Sequence, residues 1–116
     1  MKKTPLYNQH VQLEAKMVDF GGFNMPIQYK GISLEHQCVR NDVGIFDVSH
    51  MGEFFIQGNE STSFLNYICS NDINKIEIQK AQYNCFINNH GGIVDDLIIY
   101  RIEKKKYMLV VNAANI

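Results

Sequence analysis

Residues 81–112 read AQYNCFINNHGGIVDDLIIYRIEKKKYMLVVN, three apolar runs (81–88, 93–102 and 107–112) separated by NHGG and EKKK. Runs rich in Ile, Val, Tyr and Phe, bounded by Gly, Asn and charged clusters, are strands. Connections this short join antiparallel neighbours, so the segment predicts a meander. Just upstream, EFFIQG at 53–58 reads as a further strand. Residues 60–70 read as a helix capped by Gly58 or Asn59, with Phe64, Leu65 and Ile68 as a narrow apolar stripe. From about residue 52 the order is therefore β-α-β-β-β. The expected class is α+β, a mostly antiparallel sheet with its helices on one face.

Toward the N-terminus the signals change. IFDVSHM at 45–51 reads as a strand. Ser33 is placed to cap a helix running to about Asp42, with Leu34 and Cys38 on its inner face and Gly44 as its stop. Residues 1–30 read as irregular, with DFGGFNMP as a Gly/Pro-rich loop. Two segments follow: 1–51, an incomplete first domain, and 52–116, a second domain of α+β type. The chain ends in LVVNAANI, on an apolar strand with no polar tail. Domain boundaries usually fall in polar linkers, so the expectation is a chain cut before its fold is complete.

The chain has 116 residues with net charge −1; 46% are hydrophobic and 20% charged. Those values suit a globular protein and give no electrostatic footprint for nucleic acid or an anionic membrane. The three cysteines, Cys38, Cys69 and Cys85, are far apart with no CxxC. That spacing argues against a disulfide framework or zinc knuckle and suits a reducing, cytoplasmic setting. MKKTPLYNQH lacks the apolar core of a secretory signal, and no apolar run reaches membrane-spanning length. His10, His36, His50 and His90 show no metal-ligand spacing, so no metal is expected. Asp47, Ser49 and His50 carry the residue types of a catalytic triad, but on a strand His50 points away from the other two.

GGIVDDLIIY at 91–100 places two aspartates in an apolar strand. Buried charge is costly unless paired, so the pair requires a reason. Alternation puts Asp96 on a face with Val94, Ile98, Tyr100 and Ile102, and Asp95 on the other with Ile93, Leu97, Ile99 and Arg101. Asp96 is the more anomalous of the two. Tyr83 on the first strand of the meander and Asn112 on the last are its candidate neighbours. A carboxylate, a phenol and an amide on one sheet face would make a polar site in apolar surroundings. Asp95 reads as a structural group accepting backbone N–H bonds near the NHGG turn, and Asp96 is balanced between that role and a functional one.

TPLYNQHVQLEAKMVDFGGFNMPIQY, VRNDVGIFDVSHMGE, NDINKI, GGIVDDLIIY and LVVNAAN together resemble the T-protein family of the glycine cleavage system, the tetrahydrofolate-dependent aminomethyltransferases. The resemblance runs from Thr4 to Ile116; Phe23-Asn24 stand where many relatives carry Trp-Glu. It implies a transferase of glycine catabolism and one-carbon metabolism, within the folate-binding T-protein fold. Such an enzyme takes the aminomethyl group from the lipoyl arm of the H protein and releases ammonia. The one-carbon unit passes to tetrahydrofolate, giving 5,10-methylenetetrahydrofolate. The family's acid falls on Asp96, beside the reactive nitrogen of the folate, where a carboxylate stabilises developing positive charge. The folate-lining positions fall on Met51, Tyr83, Asp96, Tyr100 and Asn112. The resemblance implies that the 116 residues are an N-terminal fragment, inactive alone. Two alternatives share the folate-binding fold: a relative that assists iron–sulfur cluster assembly, expected to lack an acid at 96, and the folate domain of a dimethylglycine- or sarcosine-oxidising enzyme, expected to follow a flavin domain.

Overall fold

In the computed structural model, which describes all 116 residues, the chain divides into two units, Met1–His50 and Met51–Ile116. No helix is long and apolar enough to cross a membrane.

The first unit starts with α1 (Tyr7–Gln12), followed by β1 (Lys16–Phe20), β2 (Phe23–Gln28) and α2 (Ile32–Asn41). β1 and β2 pair antiparallel through a two-residue Gly21-Gly22 turn. Both glycines have positive φ, +58° and +82°, the backbone that the tightest hairpins require. Lys2 adds a bridge to Phe23, its N–H donating to the Gly22 carbonyl at 2.9 Å. The expected irregularity of residues 1–30 is thus corrected to a helix and a hairpin.

α2 forms where expected but begins differently. Its N-cap is Gly31, with no side-chain cap, and Ser33 lies inside the helix. Glu35 does the capping work from within. Its Oε1 accepts the N–H groups of Tyr29, Lys30 and Gly31 at 2.7, 2.8 and 3.0 Å, folding the preceding loop onto the first turn. Those bonds hold the Glu35 carboxyl below the usual range, Gly31 contributing most. α2 buries no residue; Leu34 and Cys38 are exposed, so they form no inner face, and the helix stops at Asn41, before Gly44.

Residues 45–51 form no strand. The Asp47 side chain accepts the Ser49 N–H at 2.9 Å, a local turn that competes with an extended run.

The second unit holds β3 (Gly52–Gln57), α3 (Ser61–Ile68), a 3₁₀ turn (Ile73–Lys75), β4 (Ala81–Ile87), β5 (Ile93–Glu103) and β6 (Lys106–Val111). The predicted meander is present. β4, β5 and β6 are antiparallel neighbours, and β3 closes the sheet on β6 in the order β3-β6-β5-β4. The core lies on one face, where Leu65, Cys69, Ile73 and Ile76 cover Leu97, Ile99, Tyr107, Leu109 and Val111. Burying each large side chain contributes about 1.5–3 kcal/mol. The Tyr107 hydroxyl, fully buried, bonds Thr62 Oγ1 at 2.7 Å.

Neither Gly58 nor Asn59 caps α3; the N-cap is Glu60, without a side-chain bond. Asn59 is engaged elsewhere, its Oδ1 accepting from Lys105 Nζ at 2.6 Å. The helix stripe is narrower than expected: Leu65 is fully buried and Ile68 partly, whereas Phe64 remains exposed.

Candidate functional site

The face of the second unit's sheet that carries no helix is crossed by aligned rows of side chains. Directly paired residues share a face. Register pairs Cys85 with Asp96, and one step past Leu97↔Val111 and Gly52↔Val111 it aligns Asp96, Asn112 and Met51. The next row inward is Tyr83, Ile98, Val110 and Glu53; the third is Ala81, Tyr100, Met108 and Phe55. Much of this face is open and apolar: Phe55 is 59% exposed, Ile98 39% and Tyr100 37%.

Asp96 shares that face with a second acid, Glu53, and is exposed. The Tyr83 hydroxyl reaches diagonally across the strands and donates to its Oδ2 at 2.9 Å. Asn112 Nδ2 donates to its Oδ1 at 2.8 Å and to its backbone carbonyl at 2.9 Å. The bond to Asp96 is the main cause that pushes the Tyr83 phenol above its ordinary pKa, so Tyr83 remains a donor. Of the five positions named from the sequence, Tyr83, Asp96 and Asn112 are joined by hydrogen bonds. Met51 stands in the same row as Asp96, half-buried. Tyr100 lies four residues along β5, about 13 Å away at a strand's rise, at the far end of the apolar platform.

Asp95 points into the other face and is buried, 6% exposed. It accepts the Asn112 N–H at 3.2 Å, Asn112 Nδ2 at 2.9 Å and Asn115 Nδ2 at 2.7 Å. Burial raises its pKa, but these bonds outweigh that and hold the carboxyl below the usual range. Its structural role agrees with the sequence reading, although the donors come from the end of β6 and not from the NHGG turn. The Asn112 amide therefore lies between two acids. Carboxylates only accept, so the NH₂ end must face them and the carbonyl oxygen must point away.

Two features of the sheet escaped the sequence reading. Glu53 shares the Asp96 face, which only the register reveals. Asn84 is the second: it is 1% exposed on the core side of β4, and its Oδ1 accepts the N–H groups of Asn71 and Cys85 at 3.0 and 2.9 Å.

In the first unit a third feature is a side-chain chain of hydrogen bonds. His10 Nε2 lies 2.8 Å from Asp47 Oδ2, His10 Nδ1 lies 2.7 Å from the Tyr29 hydroxyl, and Thr4 Oγ1 donates to Asp47 Oδ2 at 2.8 Å. The Asp47 side chain is 2% exposed. Burial pushes its pKa up, yet bonds from His10, Ser49 and Thr4 hold it well below the carboxylate range. Burial and the Asp47 charge together raise the Tyr29 pKa. The pairing of residues 37 apart in sequence has no local signal. The histidine bonded to Asp47 is His10 and not His50, so Asp47, Ser49 and His50 form no triad.

The profile of the family described as the GCVT N-terminal domain matches residues 6–116. The chain belongs to this family. It is 58% identical over 116 residues to the aminomethyltransferase of Flavobacterium psychrophilum, covering all of this chain and 32% of that protein. With the aminomethyltransferase of Thermus thermophilus it shares 52% identity over 116 residues, covering all of this chain and 33% of the relative. Among solved structures it matches the glycine cleavage system aminomethyltransferase T of Bartonella henselae with a TM-score of 0.92 and 37% identity, covering 98% of this chain and 32% of that one. The chain spans about a third of the length of the relatives it matches.

Proposed function

We propose that the whole protein is the aminomethyltransferase of a glycine cleavage system, and that this chain supplies its acid and part of its folate-binding surface. The observation that carries the reading is Asp96, held by Tyr83 and Asn112 on a largely apolar open sheet face. The names of the relatives support it. The substrates are then tetrahydrofolate and the aminomethyl group on the lipoyl arm of the H protein; the products are ammonia and 5,10-methylenetetrahydrofolate. The three free cysteines suit a cytoplasmic setting.

The residues fit a flat, partly polar ligand. Met51, Ile98 and Tyr100 offer apolar and polarisable contact. The outward carbonyl oxygen of Asn112 offers an acceptor to a ligand N–H. Tetrahydrofolate supplies the nitrogen that takes up the one-carbon unit. Asp96 orients that nitrogen and stabilises positive charge as it develops. Tyr83 and Asn112 fix the two carboxylate oxygens, so little reorganisation is left for the reacting step. The test is tetrahydrofolate-dependent ammonia release from aminomethylated H protein by the whole protein. Release that is absent, or indifferent to tetrahydrofolate, overturns the reading.

A further inference from the structure

We infer that Asp95 is a positioning residue for Asp96, acting through the amide of Asn112. The inference rests on the proposed transferase reading for its kinetic test and on geometry for the rest. Asp95 and Asp96 project to opposite faces of β5, so neither reaches the other directly. Asn112, at the end of β6, spans them. Its Nδ2 is 2.9 Å from Asp95 Oδ1 and 2.8 Å from Asp96 Oδ1. An amide nitrogen has two protons, and a carboxylate stands ready for each.

Asp95 also grips the backbone of the same residue, accepting the Asn112 N–H at 3.2 Å. Asn115, in the 3₁₀ turn Ala113–Asn115, braces the opposite side of this arrangement by donating to Asp95 Oδ1 at 2.7 Å. Buried and held on three donors, Asp95 has little freedom to move. Asp96 is exposed, and an exposed carboxylate samples several rotamers unless it is tied. The chain of bonds Asp95, Asn112, Asp96, Tyr83 transfers the order of the buried acid to the exposed one. Without Asp95, the Asn112 amide is free to turn. It would then meet Asp96 with its carbonyl oxygen, two acceptors face to face, and the acid would swing away.

The experiment is a double-mutant cycle in the whole protein, with tetrahydrofolate and aminomethylated H protein as substrates. Asp95→Asn should lower kcat roughly tenfold with a smaller change in KM, because a misplaced acid loses rate more than affinity. Asn112→Ala should lower it comparably, and the double variant should be no slower than Asn112→Ala alone. Additive losses would show that Asp95 acts by general destabilisation and would overturn the inference. If Asp95→Asn does not fold, Asp95→Ser replaces it in the cycle, keeping one acceptor for the Asn112 N–H. Failure of both variants to fold, with Asn112→Ala folded, would make Asp95 a structural anchor only and also overturn it. A crystal structure of the Asp95 variant reads the geometry directly, whether or not transfer is detected. Asn112 turned away from Asp96 supports the inference; an unmoved Asn112 overturns it. Absence of transfer in the unsubstituted protein would count against the transferase reading alone.

Discussion

Asp95 and Asp96 face opposite ways in β5 because side chains alternate along a strand, and that one-residue step gives them different work. Asp95 lies on the buried face of β5, the face of Leu97 and Ile99, with both oxygens engaged; Asp96 lies in the open beside Tyr83. The alternation was legible in the sequence, as was the grouping of Tyr83, Asp96 and Asn112 on one face. Which face the core would choose was not. Both carry apolar residues, and only the placement of α3 breaks the tie. Asp96→Asn keeps the shape of the acid and removes its charge. In the whole protein it should reduce the transfer rate on the order of a hundredfold, with tetrahydrofolate affinity much less affected. Steady-state kinetics with both substrates varied checks this; a change confined to KM would remove Asp96 from the reacting step.

Among the elements, the strands of the meander and α3 announced themselves by composition and by short polar connections. The hairpin of β1 and β2 also carried a signal, Gly21-Gly22 between alternating VDF and FNM, but the neighbouring proline drew the segment toward a loop reading. Pro26 is tolerated because β2 is paired with a full strand on one side only. Residues 43–50 misled for the opposite reason. IFDVSHM alternates like a strand, yet it pairs with none, and Asp47 is directed inward to His10 and Thr4. Two expectations test this. Asp47→Asn should destabilise the chain by about 2–3 kcal/mol, because it weakens charge-assisted bonds made by a buried side chain. The second concerns acid. A carboxyl held below its unfolded pKa stabilises the fold fully above that value, about 3.8, and progressively less as pH falls below it. The unsubstituted chain should therefore lose melting temperature as pH drops below about 4, and Asp47→Asn should flatten that slope. Thermal denaturation followed by circular dichroism across pH 2–7 measures both, and a slope unchanged by the substitution would show that Asp47 is not the group involved.

Buried polar groups set a further test at the same scale. Asn84 holds the N–H groups of Asn71 and Cys85 inside the second unit. Asn84→Ala strands both donors and should cost about 2–4 kcal/mol, seen as a lower urea midpoint at constant slope. Nothing in the sequence separates Asn84 from a solvated strand residue, since alternation assigns it to whichever face turns out to be the core.

For the whole molecule, what was legible was the order of elements from residue 52 onward and the family motifs; what was not was the hairpin of the first unit and the pairing of Asp47 with His10 and Thr4. The 116 residues span about a third of the matched relatives, and the face carrying Asp96 leaves Phe55, Tyr83, Ile98 and Tyr100 in contact with water. Produced alone, the chain should not catalyse transfer. Solvent around Asp96 raises the effective dielectric from about 20 toward about 80, which weakens its field on any bound nitrogen roughly fourfold. An open apolar face of this kind also favours association, as does the unpaired edge of β3. Titration of tetrahydrofolate into the purified 116-residue chain, with size-exclusion chromatography in parallel, should give binding weaker than micromolar and a mixture of dimers or larger species. A monodisperse monomer that binds tetrahydrofolate at micromolar concentration would mean that the Asp96 face is sufficient for recognition by itself, and that the other two thirds of a relative's length contributes little to holding the ligand.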